Sequence, residues 1–330
     1  MPSLKPKLEQ LQRLRDYMMS SDPEWVEIQQ IAERKNPWFT QEFIQEAIAA
    51  ITTNYLDPAK LESYASGLEH SSNPKIVGII MAGNIPLVGF HDFLTVFLSP
   101  HHQKIKFSSK DDVLLPHLIR CLIRWFPEVE SRMQSSDMLK SCDAYITTGS
   151  RQSAQTFSYY FGKYPHVIRP NKTSVAIVDG NENENELLAL ADDVYRFFGL
   201  GCRNVTHLFV PVEYPFEKLL HAFRKYDYLK DHNKYRNNLD YQLALYILNK
   251  QYYMCNDSIL MIEHPGIFSP VSVLHYSYYT NQNQLKTEYA NHPDIQAIAG
   301  KGFKAFGSLQ TPELHDFADG INTIHFLNSL

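Results

Sequence analysis

Lys75-Ile76-Val77-Gly78-Ile79-Ile80-Met81 is a short, continuous apolar run. Strands buried on both faces of a parallel sheet have this pattern, and they need a crossover of a dozen or more residues before the next strand. The run ends in a loop, Ala82-Gly83-Asn84-Ile85-Pro86, and helical spacing resumes over Val88 to Leu98. A second short strand follows within His101 to Phe107, closing in a polar loop, Ser108-Ser109-Lys110-Asp111-Asp112. Val113 to Phe126 is strongly amphipathic. Asp143 to Thr148 is a third strand, and Gly149-Ser150 opens a helix to about Tyr160. Val167-Ile168 and Ser174 to Val178 are further strand-like pieces. Repeated β-α-β order predicts an α/β chain with a doubly wound sheet and ligands at the carboxyl ends of its strands. That rule selects the loops carrying Asn84, Ser108-Ser109 and Gly149-Ser150. No G-x-G-x-x-G occurs, and a lone Gly-Ser opening a helix is by itself most simply an N-cap.

The second informative stretch is Phe197-Phe198-Gly199-Leu200-Gly201-Cys202-Arg203-Asn204-Val205. An amphipathic run from Glu186 to Phe198 predicts a helix ending at Gly199, and the β-rich run Thr206 to Pro211 predicts a strand from about Thr206. Cys202 then sits in a tight turn. A thiol there is a nucleophile if its pKa is lowered, or a buried structural cysteine if it is not. Downstream, Glu217 to Tyr226 and Leu239 to Leu248 have helical patterns, Tyr252 to Ile262 is a strand region, and Gly266 to Val271 is a turn before another strand.

Residues 1 to about 70 read as helical: Leu8, Leu11, Leu14 and Tyr17 recur at helical spacing, as do Phe43, Ile44, Ala47, Ile48 and Ile51. Pro37-Trp38 and Asp57-Pro58 read as turns. The predicted organisation is a helical segment over 1–72, a cofactor domain over 73–180, a catalytic domain over 181–300, and a segment over 301–330 returning to the core. The four cysteines at 121, 142, 202 and 255 form no C-x-x-C pair and no zinc-spaced cluster, so no metal is expected. A net charge of −5 argues against nucleic acid as the main partner. No signal-peptide core or run of about 20 apolar residues is present, so no membrane span is expected and the location implied is cytoplasmic.

An Asn loop, a Lys strand end, a Thr-Gly-Ser turn and a Gly-x-x-Cys turn, in that order, resemble the aldehyde dehydrogenase superfamily. Within it the chain is most similar to the long-chain acyl-CoA reductases of bacterial luminescence systems, from about Lys75 to Val271 and again over Gln310–Gly320. The resemblance implies an aldehyde-dehydrogenase-like fold, a doubly wound cofactor domain plus an α/β catalytic domain. It implies that Cys202 is the nucleophile and that Asn84 helps to form the oxyanion hole. Lys106 is implied as the ribose-binding Lys at a strand end that continues into Ser108 and Ser109. Gly149 and Ser150 would lie beside the cofactor pyrophosphate, and Phe268 belongs with the cofactor-binding residues. Ser109 stands where NAD-selective members often carry Glu, so NADPH is expected, with NADH as the alternative. Homo-oligomers are a further expectation.

The departures carry information of their own. Leu200 replaces the usual Gln of the cysteine turn. Gly266-Ile267-Phe268-Ser269-Pro270-Val271 replaces Glu-Ile-Phe-Gly-Pro-Val, whose Glu holds the nicotinamide ribose, leaving Glu263 or another group for that task. Ile168 stands where hydrolytic members have a Glu that activates water. Without that base, a thioester intermediate should hydrolyse slowly, which favours reduction of an acyl-CoA to the aldehyde over oxidation to an acid. Another semialdehyde dehydrogenase of the superfamily, or a non-catalytic scaffold, remain the alternatives.

Overall fold

The computed structural model describes residues 4–330. The chain divides into two compact units, residues 1–171 with 312–330, and residues 172–311.

The first unit begins with four helices, α1 (Leu4–Met18), α2 (Pro23–Lys35), α3 (Gln41–Ala50) and α4 (Pro58–Ala65). Their starts are written in the side chains. Asp22 accepts from Glu24 N, Thr40 from Phe43 N, and Asp57 from Ala59 N and Lys60 N, with Pro23 and Pro58 at first helical positions. Asp57-Pro58 is therefore a helix entry, and its turn character is that of an N-cap. The parallel sheet that follows comprises β1 (Ile76–Ile80), β2 (His102–Lys106), β3 (Met133–Ser135), β4 (Ala144–Thr148) and β5 (His166–Arg169). Its order is β3-β2-β1-β4-β5. α5 (Phe90–Leu98), α6 (Leu114–Trp125) and α7 (Arg151–Phe161) supply the crossovers after β1, β2 and β4. The strand order reverses between β1 and β4, so the loops carrying Asn84 and Gly149-Ser150 leave neighbouring strands at the switch point. Leu11, Leu14, Trp25, Phe39 and Ile44 share one core with Val77, Ile79, Ile105 and Ile146. The expected separate segment over 1–72 thus has no core of its own, because helices this short need a tertiary face to bury.

The second unit holds a six-stranded sheet of β6 (Thr173–Ile177), β7 (Val205–Pro211), β8 (Met254–Cys255), β9 (Leu260–Glu263), β10 (Val273–Tyr279) and β11 (Ile295–Gly300). Its order is β11-β6-β7-β10-β9-β8, parallel except for β8. α8 (Glu184–Tyr195), α9 (Phe216–Phe223), α10 (Asn233–Leu248) and α11 (Gln282–Tyr289) complete it. Asn183 and Glu186 form a reciprocal capping box at the start of α8, so the acidic stretch over residues 181–186 is a helix entry. β6 pairs only within this sheet, which moves the expected boundary at 180/181 back to 171/172. The C-terminal segment divides at 311/312, and its helix α12 (Thr323–Asn328) packs on α5 of the first unit. Among the described residues no helix is long and apolar enough to cross a membrane.

Candidate active site

In the first unit, the carboxyl ends of β1, β2 and β3 and one face of α6 enclose a groove of about 1190 Å³. Lys106, Ser108 and Ser109, at and just after the end of β2, all line it. Ile105, Phe107, Ile119 and Ile123 form an apolar wall, and Arg120 joins Lys106 as a second cation. Neither cation makes a hydrogen bond or ion pair among the described residues, whereas the lining carboxylate Asp112 is held by Lys35 at 2.6 Å. Arg120 is legible in the sequence only as one charge on an amphipathic helix. Glu130 and Asp137 line the groove as well, from the β3 side.

Asn84, Gly149 and Ser150 lie outside this lining, on the loops after β1 and β4. Ser150 caps α7, its hydroxyl accepting from Ser153 N at 3.1 Å. The Asn84 loop is clamped to the loop after β2. An added Cβ at Gly83 would lie 2.6 Å from Ser108 Oγ, so only glycine allows this approach. Leu87, at φ +58°, donates its N–H to Asp111 Oδ2 at 2.9 Å. Burial pushes the Asp111 carboxyl up to about 7, against the pull of the Leu87 bond. A carboxyl raised in the folded state favours folding while protonated. Its contribution is full below the unfolded value near 4 and falls, at up to about 1.4 kcal/mol per pH unit, as pH rises to about 7. Asp111→Asn keeps an acceptor for Leu87 and removes the ionisation. In urea titrations the variant should gain on the native chain between pH 4 and 7 and level off above; a difference independent of pH would contradict the assignment.

In the second unit the candidate nucleophile lies at the amino ends of the parallel strands, the opposite end from the one the general rule selects. α8 ends at Tyr195 instead of continuing to Gly199, and Phe197, Phe198 and Gly199 follow at φ +54°, +56° and +72°. Left-handed backbone costs about 1–2 kcal/mol for each non-glycine residue. Asn204, fully buried, holds it there: its Nδ2 donates to the carbonyls of Asp193, Val194 and Arg196 at 3.1, 3.3 and 2.8 Å. Those are carbonyls a helix end leaves without partners, and a side chain eight to eleven residues further on satisfies them. Asn204 Oδ1 accepts from Gly201 N at 2.8 Å, and Asn204 N donates to Gly201 O at 3.1 Å. Cys202 is thus the second residue of a β-turn closed at both ends. It is half-buried and in no disulfide, and its carbonyl accepts from Ser174 Oγ at 3.2 Å. Burial raises the thiols of Cys121 and Cys142, which are enclosed in the first unit.

Asp193 fixes the other side of the same helix end, accepting from Gly307 N at 2.6 Å and Leu309 N at 3.0 Å. Phe268 is half-buried in the loop between β9 and β10, and that loop is tied to the strand following Cys202. Thr206 Oγ1 donates to Ile267 O at 2.6 Å. His207 Nδ1 and His275 Nδ1 both donate to Gly266 O, at 3.1 and 2.8 Å. Burial pushes His207 down to about 4 and lowers His275 also, so both rings are neutral donors at neutral pH. Sequence reasoning missed these histidines, although His207 on the apolar strand Thr206-His207-Leu208-Phe209 was a visible signal.

The fold has counterparts among solved structures. A NAD-dependent aldehyde dehydrogenase from Sinorhizobium meliloti superposes with a TM-score of 0.66 at 12% identity, over 86% of this chain and 67% of that one. The fold is that of the aldehyde dehydrogenases. An indole-3-acetaldehyde dehydrogenase from P. syringae, solved with NAD+ and IAA, matches with a TM-score of 0.65 at 10% identity, over 88% and 70%. An aldehyde dehydrogenase from Bartonella henselae matches with 0.63 at 10%, over 92% and 75%. No family model and no curated protein matches the chain. The match covers the mixed α/β architecture with its parallel sheets and helical N-terminal segment.

Proposed function

We propose that this chain is an oxidoreductase of the aldehyde dehydrogenase superfamily, which reduces a fatty acyl-CoA to the aldehyde with NADPH through an acyl-Cys202 thioester. The observation that carries the reading is the turn at Cys202: a half-buried thiol, in no disulfide, on a strained, over-determined loop in a fold shared with aldehyde dehydrogenases. Ile168, half-buried on β5, supports the CoA-linked branch, since it offers no carboxylate to activate water.

In this reading the Cys202 thiolate attacks the thioester carbonyl, and the Cys202 N–H stabilises the oxyanion; one such donor contributes roughly 3–4 kcal/mol. The C–S bond to CoA breaks, CoA leaves as the thiol after protonation, and the acyl group remains on Cys202. A nicotinamide cofactor supplies hydride when bound. Cys202 then leaves as thiolate, releasing the aldehyde. Mixing the protein with a long-chain acyl-CoA, without cofactor, should add the mass of one acyl group. No adduct with any chain length would remove Cys202 as acyl acceptor.

The residues of the first groove fit a dinucleotide with a 2′-phosphate. Two unpaired cations, Lys106 and Arg120, line it beside Ser109, while Asp112 is already engaged by Lys35. Charge-assisted bonds to a phosphate contribute about 1.5–3 kcal/mol. Arg120→Ala should weaken NADPH roughly ten- to a hundredfold and leave NADH nearly unchanged, whereas Lys106→Ala, which also removes a ribose contact, should weaken both, NADPH the more. Equal losses for the two cofactors would count against 2′-phosphate recognition.

A further inference from the structure

α10, in the second unit, is apolar on two opposite sides. Tyr235, Leu239, Leu243 and Tyr246, spaced i, i+4, i+8 and i+11, form the side turned to the sheet. Tyr235 and Leu239 are buried, and Leu239, Leu243 and Tyr246 share a cluster with Leu260, Ile262 and Val273 of β9 and β10. A helix lying on a sheet ordinarily turns polar residues outward on its far side. Here Tyr241, Ala244, Leu245 and Leu248, at i, i+3, i+4 and i+7, make a second apolar stripe on that far side, and all four are exposed. Tyr241 is 61% exposed and Leu248 78%, while Ile247 and Tyr252 beside them are 55% and 74% exposed. We propose that this stripe is the seam of a homodimer, in which α10 of one copy packs antiparallel on α10 of a second copy across a two-fold axis.

Size, charge and shape each favour a second copy as the occupant. The exposed side chains present about 500 Å² of largely apolar surface, near the upper end of what monomers leave in one patch. A stable interface buries about 800 Å² on each partner, as an apolar centre within a polar rim. Asn237, Asn238, Gln242 and Asn249 flank the stripe and supply that rim. Between Asn237 and Asn249 the only charged side chain is Asp240, and Arg236 Nε donates to it at 3.0 Å. Across a two-fold axis the centre of a surface meets its own kind, so a charged centre would repel itself and an uncharged one does not. A pairing centred between Ala244 and Leu245 sets Tyr241 against Leu248 and the small Ala244 against Leu245, which lets the helix axes approach to about 8–10 Å. The same register brings Lys250, just past the helix end, beside Asp240 of the second copy. A helix resting on an anionic lipid surface needs Lys and Arg along the borders of its apolar face, and the residues from 237 to 249 include neither.

The test is sedimentation velocity of the full chain over a range of concentrations. The native chain should sediment at twice the chain mass. Leu245→Glu and Leu248→Glu, each of which buries a carboxylate in the seam on both copies, should weaken the dimer at least about tenfold. Both residues are exposed, so folding should survive and the far-UV circular dichroism should not change. Ala244→Cys, combined with Cys255→Ser to remove the exposed native thiol, should cross-link to a covalent dimer on mild oxidation. A native chain that is monomeric at every concentration overturns the proposal and leaves the stripe to a different protein or to a lipid surface. A dimer that keeps its affinity in both Glu variants, or in which Ala244→Cys forms no cross-link, also overturns it, since the contact then lies on another face. The readout is mass, so no outcome bears on the cofactor or acyl-CoA reading.

Discussion

Replacing Cys202 with alanine is expected to abolish the acyl adduct and lower aldehyde formation by roughly three orders of magnitude or more, because no other group on that turn can hold the acyl chain. The loss should be chemical and not conformational. The bonds that shape the turn run between Gly201, Asn204 and the end of α8, and Ser174 reaches the backbone carbonyl of Cys202. None of these needs the thiol. NADPH binding should therefore stay within a few-fold of native in Cys202→Ala. Intact-protein mass spectrometry of both proteins, with and without a reducing cofactor, separates the outcomes: an adduct on the variant would move the acceptor to another side chain. In the native protein the adduct should persist until NADPH is added, because Ile168 supplies no base for water.

The second large effect is on stability. Arg169, buried at the end of β5, makes two bonds of 2.7 Å to the Asp92 carboxylate of α5 and a third of 2.8 Å to Thr323 Oγ1 at the start of α12. This cluster joins the sheet, a crossover helix and the returning C-terminal segment of the first unit. Removing one partner of a buried pair leaves the other charge uncompensated, at a cost of about 3–5 kcal/mol. Asp92→Ala should lower the unfolding free energy by that amount, and the urea midpoint with it. All three tryptophans, Trp25, Trp38 and Trp125, lie in the first unit, so their fluorescence reports its unfolding alone. The double replacement Asp92→Leu with Arg169→Met should recover much of the loss, since an apolar pair has no desolvation penalty. A midpoint unchanged in Asp92→Ala would show that Arg169 finds other compensation.

The same residue shows how far motif reasoning reaches. Ile168-Arg169-Pro170-Asn171-Lys172 was readable as a position lacking a catalytic carboxylate, and that reading concerns Ile168. Arg169 looked like an ordinary charge in a short strand. Its burial depends on Asp92 and Thr323, 77 residues before and 154 after it, and no local pattern links them.

Periodicity and turn chemistry act over a few residues, and what depends on them was legible: the helical N-terminal region, the alternation of strand and helix, and the end of β2 with Lys106, Ser108 and Ser109. The cysteine turn was legible as a turn but not in its form. Glycines at 199 and 201 predicted a helix ending at Gly199, yet the helix stops at Tyr195. The side chain of Asn204 returns to cap it, and two phenylalanines adopt backbone that sequence preferences assign to glycine. Gly266 was visible as a missing carboxylate, while the His264 imidazole filling its place came from two residues earlier in the chain. Local sequence determined the elements and the residue types available for chemistry. Tertiary structure alone decided which buried polar groups meet, because hydrogen bonds between distant segments exist only once the chain has folded around them.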